Sequence, residues 1–170
     1  MAQETAKVLS GRGQIVLLVG TARNQSGTEQ YYEVDGFLRE VKKHPQLQIT
    51  KTITHTFIET PTTDLGHDIR TFYEQLLNEH RDADALVTFI ELPILTPEQP
   101  LDLPAAHPKI LAAHMNITQG KTYLRDKLIV AFIANRENPP SSPPTGATTS
   151  REMFDKYYQL FTSANLDALD

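Results

Sequence analysis

The chain has 170 residues, no cysteine and a formal net charge of −5. Its length suits one domain with a buried core, and without cysteine it forms no disulfide, thiolate metal site or cysteine nucleophile. The negative charge argues against binding a nucleic-acid backbone, and the apolar runs are far shorter than the about 20 residues of a membrane helix. The six histidines show no zinc-ligand spacing. The composition predicts a cytoplasmic protein that binds a small molecule or another protein and interacts with no nucleic acid, membrane or metal.

The first half of the chain begins with a polar segment and then alternates predicted strands and helices. Residues 1–13 are predicted to be a flexible leader, and the continuous apolar run 14–20 is typical of a strand buried on both faces of a parallel sheet. Residues 28–43 have apolar side chains at helical spacing. Residues 47–58 alternate apolar residues with threonine, which predicts an edge strand. The side chains expected on its apolar face are Leu47, Ile49, Ile53 and Phe57.

The middle of the chain contains a predicted helix, a strand and a long loop. An apolar stripe over residues 69–77 predicts the helix, and residues 83–90 read as a third buried strand. Residues 92–108 contain five prolines, which exclude regular secondary structure.

The last third is predicted to contain two helices around a fourth strand. Pro108 suits the first position of a helix that extends to Met115 and carries His114 on one face. Residues 127–134 form the fourth apolar strand, and a capping-box pattern opens a final helix over residues 149–161.

This order predicts a three-layer α/β domain of the flavodoxin-like type over residues 14–170. Its sheet is expected to be parallel, with four strands, or five, in the order 2-1-3-4 and with helices on both faces. In such sheets the ligand binds beyond the carboxyl ends of the strands.

The segment between the first strand and the first helix, residues 20–28, suits a phosphate ligand. It combines glycines that free backbone N–H groups, several hydroxyls, one arginine and a helix N-terminus. A plain helix cap is the alternative interpretation. The polar side chains of this segment are those of Thr21, Arg23, Asn24, Gln25, Ser26 and Thr28.

Two motifs resemble the NADPH-dependent FMN reductase family. The segment Gly20-Thr-Ala-Arg-Asn-Gln-Ser26 resembles that family's phosphate loop, G-[ST]-x-R-x-x-S, and Ala83-Asp-Ala-Leu-Val is similar to its third strand. The resemblance implies an FMN-dependent NAD(P)H oxidoreductase and a homodimer. It also implies that the flavin phosphate is bound by Thr21, Arg23, Asn24, Gln25, Ser26 and Thr28. The hydride chemistry would belong to the flavin, so no catalytic side chain is assigned. The segment after the third strand would cover the flavin ring, with Glu91, Pro93 and Thr96 as candidate contacts.

Two alternatives stay open. The start of the first loop, with Tyr73-Glu74 and Ala83-Asp84, also resembles the nucleoside 2-deoxyribosyltransferase superfamily, which implies a nucleotide N-glycosidase. The third hypothesis is a non-catalytic member of the fold that binds a nucleotide or a protein partner. It is motivated by the absence of the flavin-ring motif P-E-Y-N and of the glutamate motif of the transferases.

Overall fold

The computed structural model describes five stretches of the chain: residues 1–21, 27–56, 65–96, 100–136 and 150–166.

These stretches contain five helices and six strands. The helices are α1 (Ala2–Val8), α2 (Gly27–Val41), α3 (Leu65–Glu79), α4 (Ile117–Arg125) and α5 (Ser150–Tyr157). The strands are β1 (Gly13–Thr21), β2 (Leu47–Thr56), β3 (Ala85–Thr88), β4 (Lys109–Ala112), β5 (Ala131–Asn135) and β6 (Tyr158–Thr162). Among the helices of the described stretches, none is both long and apolar enough to cross a membrane.

All six strands belong to one sheet, in the order β2-β1-β3-β4-β5-β6. The pairs from β2 to β5 are parallel, and β6 runs antiparallel to β5. The prediction of a three-layer α/β fold with a mostly parallel sheet is therefore confirmed. The predicted strand number and the order 2-1-3-4 are wrong, because two short strands were assigned to helices.

The first of these strands is β4, at the position where a helix was predicted from Pro108. Residues 109–112 pair in register with β3, and α4 begins only at Ile117, after Asn116. The Asn116 side chain caps that helix by accepting from Thr118 N at 2.9 Å. A run of four residues is too short for its periodicity to distinguish a strand from a helix turn.

The second is β6, where the final helix was expected to continue. Helix α5 ends at Tyr157, and the next five residues pair with β5. Phe161 then lies on the sheet and stacks on Phe132 of β5, with ring centroids 4.6 Å apart. The aromatic residues around this junction fit a helical stripe and an alternating strand equally well. The predicted fourth strand, β5, begins at Ala131 and not at Lys127. Lys127 has a φ of 60°, which is outside the range of a β-strand.

Residues 1–13, expected to be a flexible leader, contain helix α1. Its buried residues Ala2 and Ala6 pack in the same cluster as Phe37 and Val41 of α2. The single domain over residues 14–170 stays a prediction.

The strands in the middle of the sheet are buried on both faces. Leu18, Leu86 and Ile110 face the layer formed by α3 and α4, while the adjacent residues Leu17 and Leu111 face the layer of α1 and α2. Since successive side chains of a strand point to opposite faces, each strand needs apolar residues at every position. This explains the continuous apolar runs in the sequence.

A bulge in β2 changes which layer its side chains enter. Ile15 of β1 pairs with Ile49, but the next residue, Val16, pairs with Lys51, which leaves Thr50 as an extra residue. The Thr50 hydroxyl donates to Ile15 O at 3.4 Å. As a result Ile49 packs with the α1/α2 layer and Ile53 with the α3/α4 layer. The prediction that both lie on one face is therefore wrong.

A buried polar network holds the chain where β3 ends. The Tyr73 hydroxyl lies 2.8 Å from Thr88 Oγ1 and donates to Ile90 O at 3.1 Å, and Ile90 N donates to Thr88 Oγ1 at 3.0 Å. Burial raises the pKa of Tyr73 well above its ordinary value. The network fixes the turn that carries the chain away from the carboxyl end of β3.

Tyr73→Phe tests this network and its pH dependence. At about pH 8 we expect the free energy of unfolding to fall by about 1–2 kcal/mol, because the hydroxyl contacts are lost. Above the ordinary tyrosine pKa of 10.0 the unfolded state releases this proton and the folded state retains it. The wild type should therefore lose about 1.4 kcal/mol more than the variant between about pH 8 and pH 11. Urea unfolding at both pH values measures the difference, and parallel pH profiles would contradict it.

Two helical glycines form a matched pair of tests. A Cβ at Gly120 in α4 would lie 2.5 Å from the Phe132 ring, whereas a Cβ at Gly36 in α2 would meet nothing within 4 Å. Gly120→Ala should therefore lower the free energy of unfolding by about 1–3 kcal/mol through overpacking. Gly36→Ala should raise it by up to about 1 kcal/mol through helix propensity. Urea unfolding of both variants checks these opposite signs, and equal effects would exclude the close approach of α4 to β5.

Candidate functional site

A groove opens at the carboxyl edge of the sheet, on the side of α1 and α2. It has a volume of about 1480 Å³ and continues along the sheet face to the start of α1. This edge is where open α/β sheets bind their ligands, because the segments that leave the parallel strands converge there. Residues from α1, α2, β5, α5 and β6 and from the segments that follow β3 and β4 line it, including Glu33, Phe89, His114, Asn135 and Tyr158.

A carboxylate and an imidazole form a hydrogen-bonded pair in this groove. His114 follows β4 and its Nε2 is hydrogen-bonded to Oε2 of Glu33, which extends from α2. The His114 side chain is 36% exposed and that of Glu33 is 27% exposed, so a ligand in the groove can contact both.

The backbone of His114 is in the left-handed region, with a φ of 58°. Only a few per cent of non-glycine residues adopt this conformation, which costs about 1 kcal/mol or more and persists where the surroundings impose it. Here two backbone bonds hold the turn, since Ala113 N donates to Thr88 O at 2.8 Å and Met115 N donates to Ile133 O at 3.0 Å. The turn directs the imidazole toward Glu33.

Aromatic rings line the groove, and one of them lies beside this pair. Tyr158, the first residue of β6, lies with its ring centroid 6.5 Å from that of His114 and nearly perpendicular to it. The Phe154 ring stacks on Tyr158 at 5.7 Å, and Phe89 contacts Phe37 edge-to-face at 5.8 Å. A groove with apolar rings and a few fixed polar groups can hold a small polar molecule by its apolar face and its hydroxyls.

The cations that line the groove have partners within the chain. Lys7 Nζ lies 3.6 Å from a carboxylate oxygen of Glu4, and Arg39 Nη2 lies 3.0 Å from Asp35 Oδ2. Arg136 Nε donates to the carbonyl oxygen of Tyr158 at 3.2 Å. Nowhere in the described stretches do three His, Cys, Asp or Glu side chains come together to hold a metal ion.

Most of the predicted phosphate loop lies outside the described residues. This applies to Arg23, Asn24, Gln25 and Ser26. Thr21 ends β1 and Thr28 lies in the first turn of α2, but only their backbone is described. Their roles as ligand contacts stay predictions.

The candidates after β3 do not line the groove. Glu91 and Thr96 are exposed, and Pro93 is buried with its carbonyl oxygen hydrogen-bonded to Tyr123 and, at 3.2 Å, to Gln119 Nε2. These contacts fix the segment to α4, whose buried residues pack on the opposite face of the sheet from the groove.

Glu33, His114 and Tyr158 were not predicted from the sequence as residues of the groove. His114 was placed on the face of a helix, whereas it ends a strand, and Tyr158 was placed in the last helix although it begins β6. Glu33 is one of many acidic residues on a helix, and nothing local distinguishes it. A short apolar run that ends in a polar residue was the only signal for His114.

No model of a protein family and no curated protein matches this chain. Solved structures do match. One is a solute-binding protein of an ABC transporter from Burkholderia graminis in complex with D-arabinose, with 16% identity and a TM-score of 0.61 over 98% of this chain and 58% of that one. Another is an ABC transporter solute-binding protein from Bacillus halodurans with bound myo-inositol, with 13% identity and a TM-score of 0.59 over 98% and 57%. A third is the fructose-binding periplasmic domain of a hybrid two-component system, with 14% identity and a TM-score of 0.62 over 99% and 56%.

These likenesses show the fold, and the chain spans little more than half the length of each of these structures. They overturn the resemblances to the FMN reductases and to the deoxyribosyltransferases. The predictions of an oxidoreductase or an N-glycosidase and of FMN and NAD(P)H are wrong, because the ligands of these neighbours are sugars and a polyol. These ligands are small molecules, as predicted, but they do not support a phosphate-bearing one. Nor is a nucleotide the ligand of any of the three. The resemblance to the FMN reductases rested mainly on a polar segment of seven residues before a helix. Such a segment is not specific for a phosphate, because its polar residues can also cap the helix.

Tyr123→Phe tests how the segment after β3 is fixed. The Tyr123 hydroxyl bonds Pro93 O and accepts from Leu95 N at 2.9 Å, so its removal should accelerate hydrogen exchange at the Leu95 amide. We expect an increase of about tenfold in exchange rate and a loss of about 1–2 kcal/mol in the free energy of unfolding. Thr122→Ala, an exposed change on the same helix, is the control and should leave this amide unaffected. Unchanged exchange at Leu95 in the Tyr123 variant would contradict the anchoring.

Proposed function

We propose that this chain binds a sugar or a related polyol in the groove at the carboxyl edge of its sheet. The observation that carries the proposal is the Glu33–His114 pair beside the Tyr158 ring, at the edge where ligands bind in this class of fold. The neighbours with D-arabinose, myo-inositol and fructose as ligands support the same chemical class.

The chemistry of the pair suits hydroxyl groups. The Glu33 carboxylate accepts hydrogen bonds, and the imidazole of His114 can donate or accept according to its tautomer. Adjacent hydroxyls of a sugar can each do both, so two of them can bind this pair together. The ring of Tyr158 then contacts the apolar C–H face of the sugar.

The charges of the groove favour a neutral ligand. Lys7, Arg39 and Arg136 are already engaged by partners in the chain, and the carboxylate of Glu33 would repel an anion. A neutral polyhydroxylated molecule avoids this repulsion and still uses the hydrogen-bonding groups.

The groove supplies one wall of a binding site. Periplasmic binding proteins close two domains around their ligand, whereas this chain spans 56–58% of the neighbours described above. A sugar held on one side keeps much of its surface in water. We therefore expect a dissociation constant of about 1 mM for the chain alone.

A titration followed by ¹⁵N NMR tests the proposal. D-Arabinose, D-fructose and myo-inositol are added separately, and at least one should cause saturable shifts at the amides of His114, Asn135 and Tyr158. Shifts confined to other regions, or no saturable shift with any of the three, would contradict the proposal.

His114→Ala should weaken binding of that ligand by about tenfold, the equivalent of one lost hydrogen bond. His80→Ala is the matched control, because His80 lies at the end of α3 and does not line the groove. Equal affinities of the two variants would exclude His114 as a contact.

A further inference from the structure

The Glu33–His114 pair is arranged so that its carboxylate has a fixed orientation. An ionised carboxylate only accepts hydrogen bonds, so the hydrogen between the two side chains belongs to His114 Nε2. Each carboxylate oxygen can accept more than one hydrogen bond. Glu33 can therefore also accept from a ligand hydroxyl while it stays bonded to His114.

A carboxylate that takes a proton from a ligand must be reachable and must be held in place. The Glu33 side chain is 27% exposed, so a molecule in the groove can reach it. Its partner His114 keeps a left-handed backbone with a φ of 58°, and non-glycine residues in such conformations cluster at active sites and ligand clamps. A base held within hydrogen-bond reach of the proton that it removes is the geometric requirement of general-base catalysis. Glu33 meets this requirement for a hydroxyl bound in the groove.

The hydroxyls of a sugar differ in acidity. In a reducing sugar the hydroxyl on the anomeric carbon is the most acidic, because the ring oxygen on the same carbon withdraws electrons. Hydrogen bonds to an ionised acceptor are stronger than neutral ones, and a more acidic donor strengthens them further. We therefore expect the anomeric hydroxyl, rather than another hydroxyl of the sugar, to bind the Glu33 carboxylate.

We propose that Glu33 catalyses the interconversion of the two anomers of a reducing sugar bound in the groove. Glu33 acts here on the sugar whose binding is proposed above, so this reaction rests on that proposed function. His114 is a positioning residue, because its Nε2–H group holds the carboxylate.

The reaction needs one proton carrier and no other reactant. Glu33 removes the proton of the anomeric hydroxyl while a carbonyl group forms at the anomeric carbon and the bond from this carbon to the ring oxygen breaks. The carboxyl group then gives the same proton to the ring oxygen, which becomes a hydroxyl. One carboxylate can serve both oxygens, because both are bonded to the anomeric carbon. Rotation of the carbonyl group exposes its other face, and the reverse transfers close the ring as the other anomer.

The test is the rate at which a single anomer returns to equilibrium. One crystalline anomer of D-arabinose or of D-fructose is freshly dissolved with the protein in dilute buffer, and its optical rotation is followed. The acceleration should saturate with sugar concentration. We expect the rate constant of the bound sugar to be about 100 times that of the free sugar, which is within the range of general acid–base catalysis.

Glu33→Gln keeps the size of the side chain and removes the base. At saturating sugar it should lower the rate constant of the bound sugar about tenfold or more. Glu79→Gln is the matched control, because Glu79 is exposed at the end of α3, does not line the groove and should leave the rate unchanged. His114→Ala should lower the rate constant at saturation about threefold or more, besides weakening binding, because it releases the carboxylate.

The ¹⁵N NMR titration described above separates failure of this reaction from failure of sugar binding. A sugar that binds in the groove but equilibrates no faster than in buffer would overturn the catalytic role and leave the proposed function standing. Absence of binding by any of the three ligands would overturn both, and binding of myo-inositol alone would overturn the catalytic role, since myo-inositol has no anomeric carbon.

Equal rates of wild type and folded Glu33→Gln at saturation would exclude Glu33 as the base. If this variant lacks a cooperative thermal transition, Glu33→Asp, which withdraws the carboxylate by one methylene group, takes its place with the same criterion.

Discussion

The burial of β1, β3 and β4 on both faces is the constraint on which the rest of the structure depends. Strands without a water-exposed face require a helical layer on each side, and the two layers are supplied by α1 with α2 and by α3 with α4. Because these strands are parallel, their carboxyl ends meet at one edge, and the segments that leave them start close together. The segment that leaves β3 is fixed by the Tyr73–Thr88 network, which is a hydrogen-bonded polar cluster inside the core.

Because β6 runs antiparallel to the other strands, it contributes side chains to the carboxyl edge of the sheet. A parallel strand would begin at the opposite edge of the sheet, whereas β6 begins beside the end of β5, where Tyr158 pairs with Asn135. Helix α5 reaches the same place and brings Phe154 onto the Tyr158 ring. The aromatic side of the groove therefore comes from the end of the chain, and its carboxylate, Glu33, comes from the first helix that follows β1.

The elements that lie within long apolar or periodic runs could be predicted from the sequence, whereas the short strands β4 and β6 could not. The run 14–20 and the helical stripe at residues 69–77 provide enough positions to establish a period, and both elements are present. The four residues of β4 provide only two repeats of a strand pattern and about one turn of a helix, so the assignment rested on Pro108 and was wrong. The site was harder still, because the proximity of Glu33 and His114 depends on how α2 crosses the sheet, and residues 81 positions apart share no local pattern.

The bulge at Thr50 has a consequence for the way the two hydrophobic layers are joined. A regular edge strand contributes all its apolar residues to one side, but the extra residue in β2 shifts the alternation by one position. A single strand thus seals the border of both layers, with Ile49 below and Ile53 above the sheet. Deleting one residue there would restore a regular ladder and at the same time expose every side chain beyond it on the wrong side. Strand β2 therefore packs against both hydrophobic layers, and the number of its residues is constrained more strictly than their identity.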